Sequence, residues 1–340
     1  IYGNRPVLFD GAMGTMIQKK GLDDNRLPEG YNITHPEGIG LIHRAYIEAG
    51  SDIITTNTFG ANPQKLSTTG ISVEAVISAA VKLAKKVAGT ARVALDIGPT
   101  GQLMAPYGDL TFETAYEIFT RQVKAGQEAG ADLTLIETMS DLYEAKAAVL
   151  AAKQETNLPV ICTMTFQKGG KTLMGTDPLT LVTVLEGLGV DGLGLNCSLG
   201  PADALPLVEQ LISNSHVPIL VQANAGLPQS GESHEYDCSP AEFSEMAARF
   251  AQLGVEMLGG CCGTTPVYIK EIKDKVQGIS PEKRNIPKLT AAASSRKTVV
   301  FDRFIAIGQN INPSGRKDLT EAIKADNIRV FYPMNPWKKR

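Results

Sequence analysis

Val255-Glu256-Met257-Leu258-Gly259-Gly260-Cys261-Cys262-Gly263-Thr264-Thr265-Pro266 reads as one complete strand-to-helix transition. An apolar run stops at two glycines. Two adjacent cysteines and a third glycine follow, and Thr265-Pro266 places proline at a first helical position. Side chains alternate across a strand, so neighbouring cysteines inside one would face opposite ways. For both sulfurs to serve one site, at least one must lie beyond the strand, on irregular backbone that the glycines permit.

The same unit recurs through the chain. Short apolar runs rich in β-branched residues occur at 6–10, 52–57, 92–97, 132–137, 159–165, 191–196, 217–223 and 255–260, with helical patterns between them. Within 72–88, Val73, Val76, Ile77, Ala80, Ala84 and Val87 fall on one helix face. Thr34-His35-Pro36-Glu37 and Ser239-Pro240-Ala241-Glu242 read as capping boxes, Asp177-Pro178 as a capped start, and Gly50, Gly89, Gly130 and Gly254 as helix ends. Eight strand–helix units in succession predict an α/β fold, a (β/α)8 TIM barrel. The rival is an open doubly wound sheet. That fold needs a glycine-rich phosphate turn after the first strand, which Asp10-Gly11-Ala12-Met13-Gly14-Thr15 imitates poorly.

The barrel gathers its strand ends at one mouth, where active sites lie. Polar residues sit at those ends: Asp10, Asn57, Asp96, Glu137, Asn196 and Asn224. A third cysteine, Cys197, closes the sixth run, Gly192-Leu193-Gly194-Leu195-Asn196-Cys197-Ser198. Runs six and eight are alternate strands, whose side chains share a layer, so Cys197 can meet Cys261 and Cys262, with Asn224 between them. Three thiols at a mouth suggest a metal site, and their softness favours zinc. Three thiolates leave one tetrahedral position open, as catalytic sites do. Such an electron-rich ion suits a substrate that is itself a thiol, because free thiols, with pKa about 8.5, are mostly protonated at neutral pH. A strained disulfide between Cys261 and Cys262, two core thiols, or a closed structural zinc site are the alternatives. Cys162, inside the fifth run, reads as a small core hydrophobe, and Cys238 as an incidental loop thiol.

Other mouth residues have two readings each. Glu137 can hold an ammonium group or serve as a cap acceptor. Asp10 can do the same or be a turn aspartate, while Gly11 and Ala12 leave backbone N–H groups open to a carboxylate. Asn57 and Asn224 can face a ligand or satisfy backbone groups.

The totals bound the rest. The chain of 340 residues has a formal charge of -3, which gives no sign of nucleic-acid binding. Its four histidines end no strand, so a metal site must be mainly thiolate. No apolar run approaches the roughly 20 residues of a membrane span. Five cysteines without scaffold spacing, and no secretory signal, fit the cytoplasm. Because residue 1 is Ile1 rather than methionine, the chain is expected to belong to a longer product. Residues 1–276 are expected to form the barrel. Residues 277–297 lack apolar periodicity and read as a linker. Residues 298–340 resume a strand-like pattern at Val299–Gly308, then a helical one near 317–326, as the start of a second domain.

Asp10-Gly11-Ala12-Met13-Gly14-Thr15, Thr56-Asn57-Thr58-Phe59, Asp96-Ile97-Gly98-Pro99, Glu137-Thr138, Asn196-Cys197 and Gly259-Gly260-Cys261-Cys262-Gly263 together resemble the zinc-dependent homocysteine methyltransferase family. The resemblance spans about residues 5–276. It implies a barrel whose zinc takes homocysteine as a thiolate for methylation to methionine. Cys197, Cys261 and Cys262 would be the zinc ligands and catalytic centre. Asn224 would fill the fourth position until substrate displaces it. Glu137 and the Asp10-Gly11-Ala12 turn would hold the amino-acid end, with Asn57 and Ser198 also on the substrate side. Ile307-Gly308-Gln309-Asn310-Ile311-Asn312-Pro313 is similar to the opening strand of the folate (pterin)-binding barrel in cobalamin-dependent methionine synthases, although Gln309 and Asn310 replace the usual acidic and basic pair. The implied donor is methylcobalamin from another domain, and the implied partners are cobalamin and folate domains outside this chain. Betaine, S-methylmethionine or a folate are alternative donors, and a zinc-binding domain without turnover is the non-enzymatic alternative.

Overall fold

The computed structural model describes residues 5–22, 27–228, 236–282, 284–303, 320–321 and 324–325. The chain divides into two compact units, Ile1–Val299 and Val300–Arg340. The expected strand through Gly308, the Gln309–Asn310 departure and most of the helix near 317–326 lie outside the described residues.

Eight parallel strands form the first unit's sheet: β1 (Val7–Leu8), β2 (Ile53–Thr55), β3 (Arg92–Ile97), β4 (Leu133–Met139), β5 (Val160–Met164), β6 (Gly192–Asn196), β7 (Ile219–Ala223) and β8 (Met257–Gly260). Their order is β1-β8-β7-β6-β5-β4-β3-β2, and a parallel bridge between Phe9 and Ile53 joins the two ends. The sheet is therefore the (β/α)8 barrel, and each strand lies within or beside its expected run. The helices are α1 (Met13–Lys19), α2 (Tyr31–Thr34), α3 (Pro36–Ala49), α4 (Pro63–Leu66), α5 (Val73–Ala88), α6 (Phe112–Ala129), α7 (Leu142–Glu155), α8 (Pro178–Gly187), α9 (Pro201–Asn214), α10 (Pro240–Gln252) and α11 (Pro266–Val276). No helix among the described residues is long and apolar enough to cross a membrane.

Two carboxylates sew the β1–β2 seam where backbone pairing is thin. At the lower end Asp52 accepts from the Leu8 N–H at 2.8 Å and pairs with Arg5 at 2.7 Å. At the mouth Asp10 accepts from the Thr55 N–H at 2.8 Å and the Thr55 hydroxyl at 2.9 Å.

Alternation along the strands makes two cores. Val7, Phe9, Ile53, Ala94, Leu133, Leu135, Ile161, Leu220 and Met257 fill the barrel's interior. A larger cluster, including Cys162, lies between strands and helices. On β6 the inward positions are Gly192 and Gly194. A Cβ at Gly194 would strike the Leu220 backbone, and one at Gly192 would meet Met257 Cε at 2.9 Å, so neighbours already occupy that space.

The Ser239 capping box forms in full, and Asp177 caps α8 through the Thr180 N–H at 2.8 Å. The Thr34 box does not form. Thr34 ends α2, its hydroxyl donates back to the Gly30 carbonyl at 3.3 Å, and His35 starts α3 without a side-chain cap. A short preceding helix has taken the capping residue.

The stretch expected as a linker is held to the barrel. Arg284 donates to the Val217 carbonyl and pairs with Glu256, at 2.8 and 2.7 Å. A small two-stranded sheet follows, β9 (Ala291–Ala293) and β10 (Thr298–Val300). The turn between them takes a bond from the Thr176 hydroxyl to the Ser295 carbonyl at 2.7 Å, and Arg296 donates to the Tyr107 hydroxyl at 2.7 Å. Apart from Ile279, which packs against the outer core, polar and main-chain contacts hold this strap, so it leaves no apolar period to read.

Candidate metal centre

Both β8 cysteines lie beyond the strand, which ends at Gly260. The turn that carries them is fixed from three sides. The Cys261 N–H donates to the Ala223 carbonyl at 2.8 Å, the Ala225 N–H to the Cys262 carbonyl at 2.9 Å, and the Gly263 N–H to the Thr15 hydroxyl at 3.1 Å. Gly263 sits at φ +82°, in the left-handed region, and a Cβ there would lie 2.4 Å from the Tyr236 ring. Cys197 leaves β6 at φ +60° and Ser198 follows at +62°, while Thr138, past Glu137, is at +59°. Among the described residues these are the non-glycine positions in that region, and all three stand at the mouth.

The three Sγ atoms lie within 4.8 Å of one another, and Cys197 and Cys262 are 3.8 Å apart. All five cysteines are free thiols. Hydrogen bonds from Cys261 and Cys262 pull the Cys197 thiol far down, helped by the Ser198 backbone and Asn224. The same contacts push Cys261 and Cys262 up. Asn224 stands beside Cys197, and its Oδ1 is buried without a hydrogen-bond partner among the described residues.

A cavity of about 260 Å³ opens beside the sulfurs, lined by Gly11, Ala12, Asn57, Glu137 and the three cysteines among others. Asn196 ties several of the lining residues together. Its Oδ1 accepts from the Thr138 N–H and the Thr163 hydroxyl, both at 2.8 Å. Its Nδ2 reaches Thr138 Oγ1 at 2.7 Å, Glu137 Oε2 at 3.5 Å and Cys261 Sγ at 3.9 Å. Burial, then the Cys197 charge and Asp10, pushes Glu137 up to about 8. Burial also raises Asp10 to about 7, against the opposing pull of Thr55.

The expected residues are not all on the cavity. Asp10 is 1% exposed, absent from the lining, and spends both oxygens on Thr55; its place is the seam. Ser198 is also off the lining, since the left-handed turn carries it past the sulfur. Asn57 lines the wall while its Nδ2 donates to the Pro28 carbonyl at 2.6 Å. Cys162 is buried in the outer core and its thiol is pushed up to about 12. Sequence reasoning noted Asp96 and Asn196 at strand ends but gave them no role. It quoted Thr138 only as part of a motif and missed Glu29 and Gln222, all three of which also line the cavity. A polar residue at an inward strand position was the available signal for Gln222, whereas nothing local marked Glu29.

The sequence profile described as homocysteine S-methyltransferase matches residues 7–276. A methionine synthase of Mycobacterium tuberculosis is 32% identical over 97% of this chain, and one of Mycobacterium leprae is 33% identical over 96%. The chain spans 30% and 29% of those two proteins. The metallated homocysteine methyltransferase MmuM of Escherichia coli has 25% identity and a TM-score of 0.69, covering 80% of this chain and 97% of its own. By its sequence over the whole barrel, and by the placement of its three cysteines, this chain belongs to the homocysteine S-methyltransferase family.

Proposed function

We propose that this barrel binds homocysteine at a zinc ion held by Cys197, Cys261 and Cys262 and methylates its sulfur to give methionine, with methylcobalamin from another domain as donor. One observation carries the reading: three sulfurs within 4.8 Å at the mouth of a barrel of this family. The donor set fits zinc, because three soft thiols converge and the unpartnered Asn224 Oδ1 stands beside them as a replaceable fourth oxygen. Zinc bound there lowers the pKa of an incoming thiol from its free value of about 8.5.

The chain's own residues do the rest. Glu137 accepts the substrate ammonium, oriented by Asn196. Gly11 and the start of α1, which has no side-chain cap, offer backbone N–H groups to its carboxylate, while the Ala12 N–H is held by the Thr264 hydroxyl at 3.2 Å. The thiol proton leaves to solvent. The sulfur pair then forms the new bond to the methyl carbon, while the donor keeps the electrons of the bond that breaks. Cobalamin and folate domains are proposed for the part of the longer relatives that this chain does not span. The five free thiols fit a reducing compartment such as the cytoplasm.

The test is methionine formation from methylcobalamin and homocysteine, with the chain metal-loaded and metal-stripped. Methionine is expected only from the loaded chain. Full activity without metal overturns the zinc reading. Turnover with betaine, S-methylmethionine or a folate, but not methylcobalamin, reassigns the donor. Homocysteine binding without turnover by any donor makes this a thiol-binding domain.

A further inference from the structure

Asp96 is the inward residue near the end of β3 and lines the same cavity as the sulfurs. It is 7% exposed, and its Oδ1 is buried with no hydrogen-bond partner among the described residues. Its backbone is spent: the N–H donates to the Thr56 hydroxyl at 3.1 Å and the carbonyl accepts from the Thr58 hydroxyl at 2.7 Å. The side chain is thus held rigidly in place with nothing bonded to that oxygen. A buried carboxylate left so is costly unless something arrives to pair with it.

The groups around Asp96 say what that is. Glu137, Asp10 and Glu29 all bear on it with the same sign, and together with burial they push its carboxyl well above the ordinary range. Glu29 also has a buried unpartnered oxygen, Oε2, on the cavity wall. The opposing cation is Lys65, but its ammonium lies over the Phe59 ring, 5.1 Å from the centroid, and makes no salt bridge to Asp96 among the described residues. Among the described residues no cation pairs with Asp96 and no donor reaches its Oδ1. The register supplies a partner for Asp96. β3 pairs Asp96 with Leu135 of β4, and Glu137 is the next inward residue on that strand. Two carboxylates on adjacent strands, one short of donors, face a space beside the thiols.

We propose that Asp96 is a substrate-binding residue that clamps the ammonium of the thiol amino acid jointly with Glu137. An ammonium has three donors and can serve both carboxylates at once. The assignment rests on the thiol amino-acid reading of the site and sets its selectivity: an α-amino thiol is preferred over the same thiol without its amino group.

The experiment uses the full chain loaded with cobalt(II) in place of zinc, so that thiol binding is read from the thiolate-to-cobalt absorption. Homocysteine and 4-mercaptobutanoic acid, which lacks only the amino group, are titrated into wild type, Asp96→Asn and Asp96→Ser. Loss of one charge-assisted bond predicts a roughly 10- to 100-fold weaker Kd for homocysteine in both variants. The desamino thiol should bind all three proteins alike. Cobalt content and the spectrum before thiol addition report whether each variant keeps an intact metal site. Equal homocysteine affinity in wild type and Asp96→Asn overturns the proposal, as does equal weakening of both ligands. If wild type binds neither thiol, the reading beneath it fails as well, and that result differs visibly from the other two.

Discussion

At the scale of single residues, the site depends on a few side chains that serve the backbone and the chemistry together. Asn196 is the clearest. It satisfies the Thr138 N–H, at a residue held in the left-handed region, and it also orients Glu137 and reaches Cys261. Asn196→Ala would strand two buried donors, the Thr138 N–H and the Thr163 hydroxyl, and should cost roughly 2–4 kcal/mol by denaturant unfolding. It should also weaken homocysteine binding more than Thr163→Ala, which removes one of the same hydrogen bonds without touching Glu137. Gly263 is the second such residue. Gly263→Ala combines φ +82° with a Cβ placed 2.4 Å from the Tyr236 ring. The expected outcome is lower metal content per chain, measured by atomic emission, together with a lower Tm. Adding Tyr236→Ala should restore part of the metal content by removing the clash, but not all, because the backbone strain stays.

At the scale of elements, the strands, the helix faces and the meeting of Cys197 with Cys261 and Cys262 were legible in the sequence, because apolar period and proline or glycine punctuation encode them directly. What was not legible is instructive. Asp10 has two readings in the sequence, a turn aspartate and a substrate ligand; in three dimensions both its oxygens also tie the seam at Thr55, since β1 is only two residues long and needs side-chain help. Asp96 shows the reverse, a polar strand end that seemed unremarkable until its neighbours left it unpartnered. The Thr34 box failed because α2 claimed its threonine, a competition between two local signals. The strap of residues 277–297 escaped because arginine and main-chain groups fasten it. That fastening can be tested. Arg284 is 10% exposed at its side chain and pairs with Glu256, itself 22% exposed. Arg284→Ala leaves Glu256 half-buried without its cation and should cost roughly 2–3 kcal/mol, below the full value for a completely buried pair. Faster proteolytic cleavage between residues 277 and 297, with homocysteine affinity unchanged, would mark a purely structural strap. Equal cleavage rates in wild type and variant would refute the fastening.

At the scale of the whole molecule, the barrel concentrates its ionisable groups at the mouth, yet one histidine is placed where it can govern acid stability. His43 is on α3, fully buried, and both its ring nitrogens lack partners among the described residues. Burial holds its pKa down at about 4, against an unfolded value of about 6.5. The folded chain therefore refuses a proton that the unfolded chain accepts. Stability from this group is fully present above pH 6.5 and is lost as pH falls toward 4, by about 3 kcal/mol at the limit. Asp10 works in the opposite direction. Its folded pKa is raised to about 7, so the stability tied to its neutral form is present below its unfolded value of about 3.9 and declines as pH rises through 7. Between about pH 4 and 6.5 the two slopes oppose each other, so the acid loss due to His43 is read by difference, against a variant that lacks it. Replacing His43 by leucine, which has no proton to refuse, should give a stability difference from wild type that grows by about 3 kcal/mol in the variant's favour as pH falls from 6.5 to 4 and stays constant above 6.5. Urea midpoints at half-unit pH steps measure that difference, and a variant whose profile ran parallel to wild type from pH 6.5 to 4 would show that His43 does not carry the acid loss.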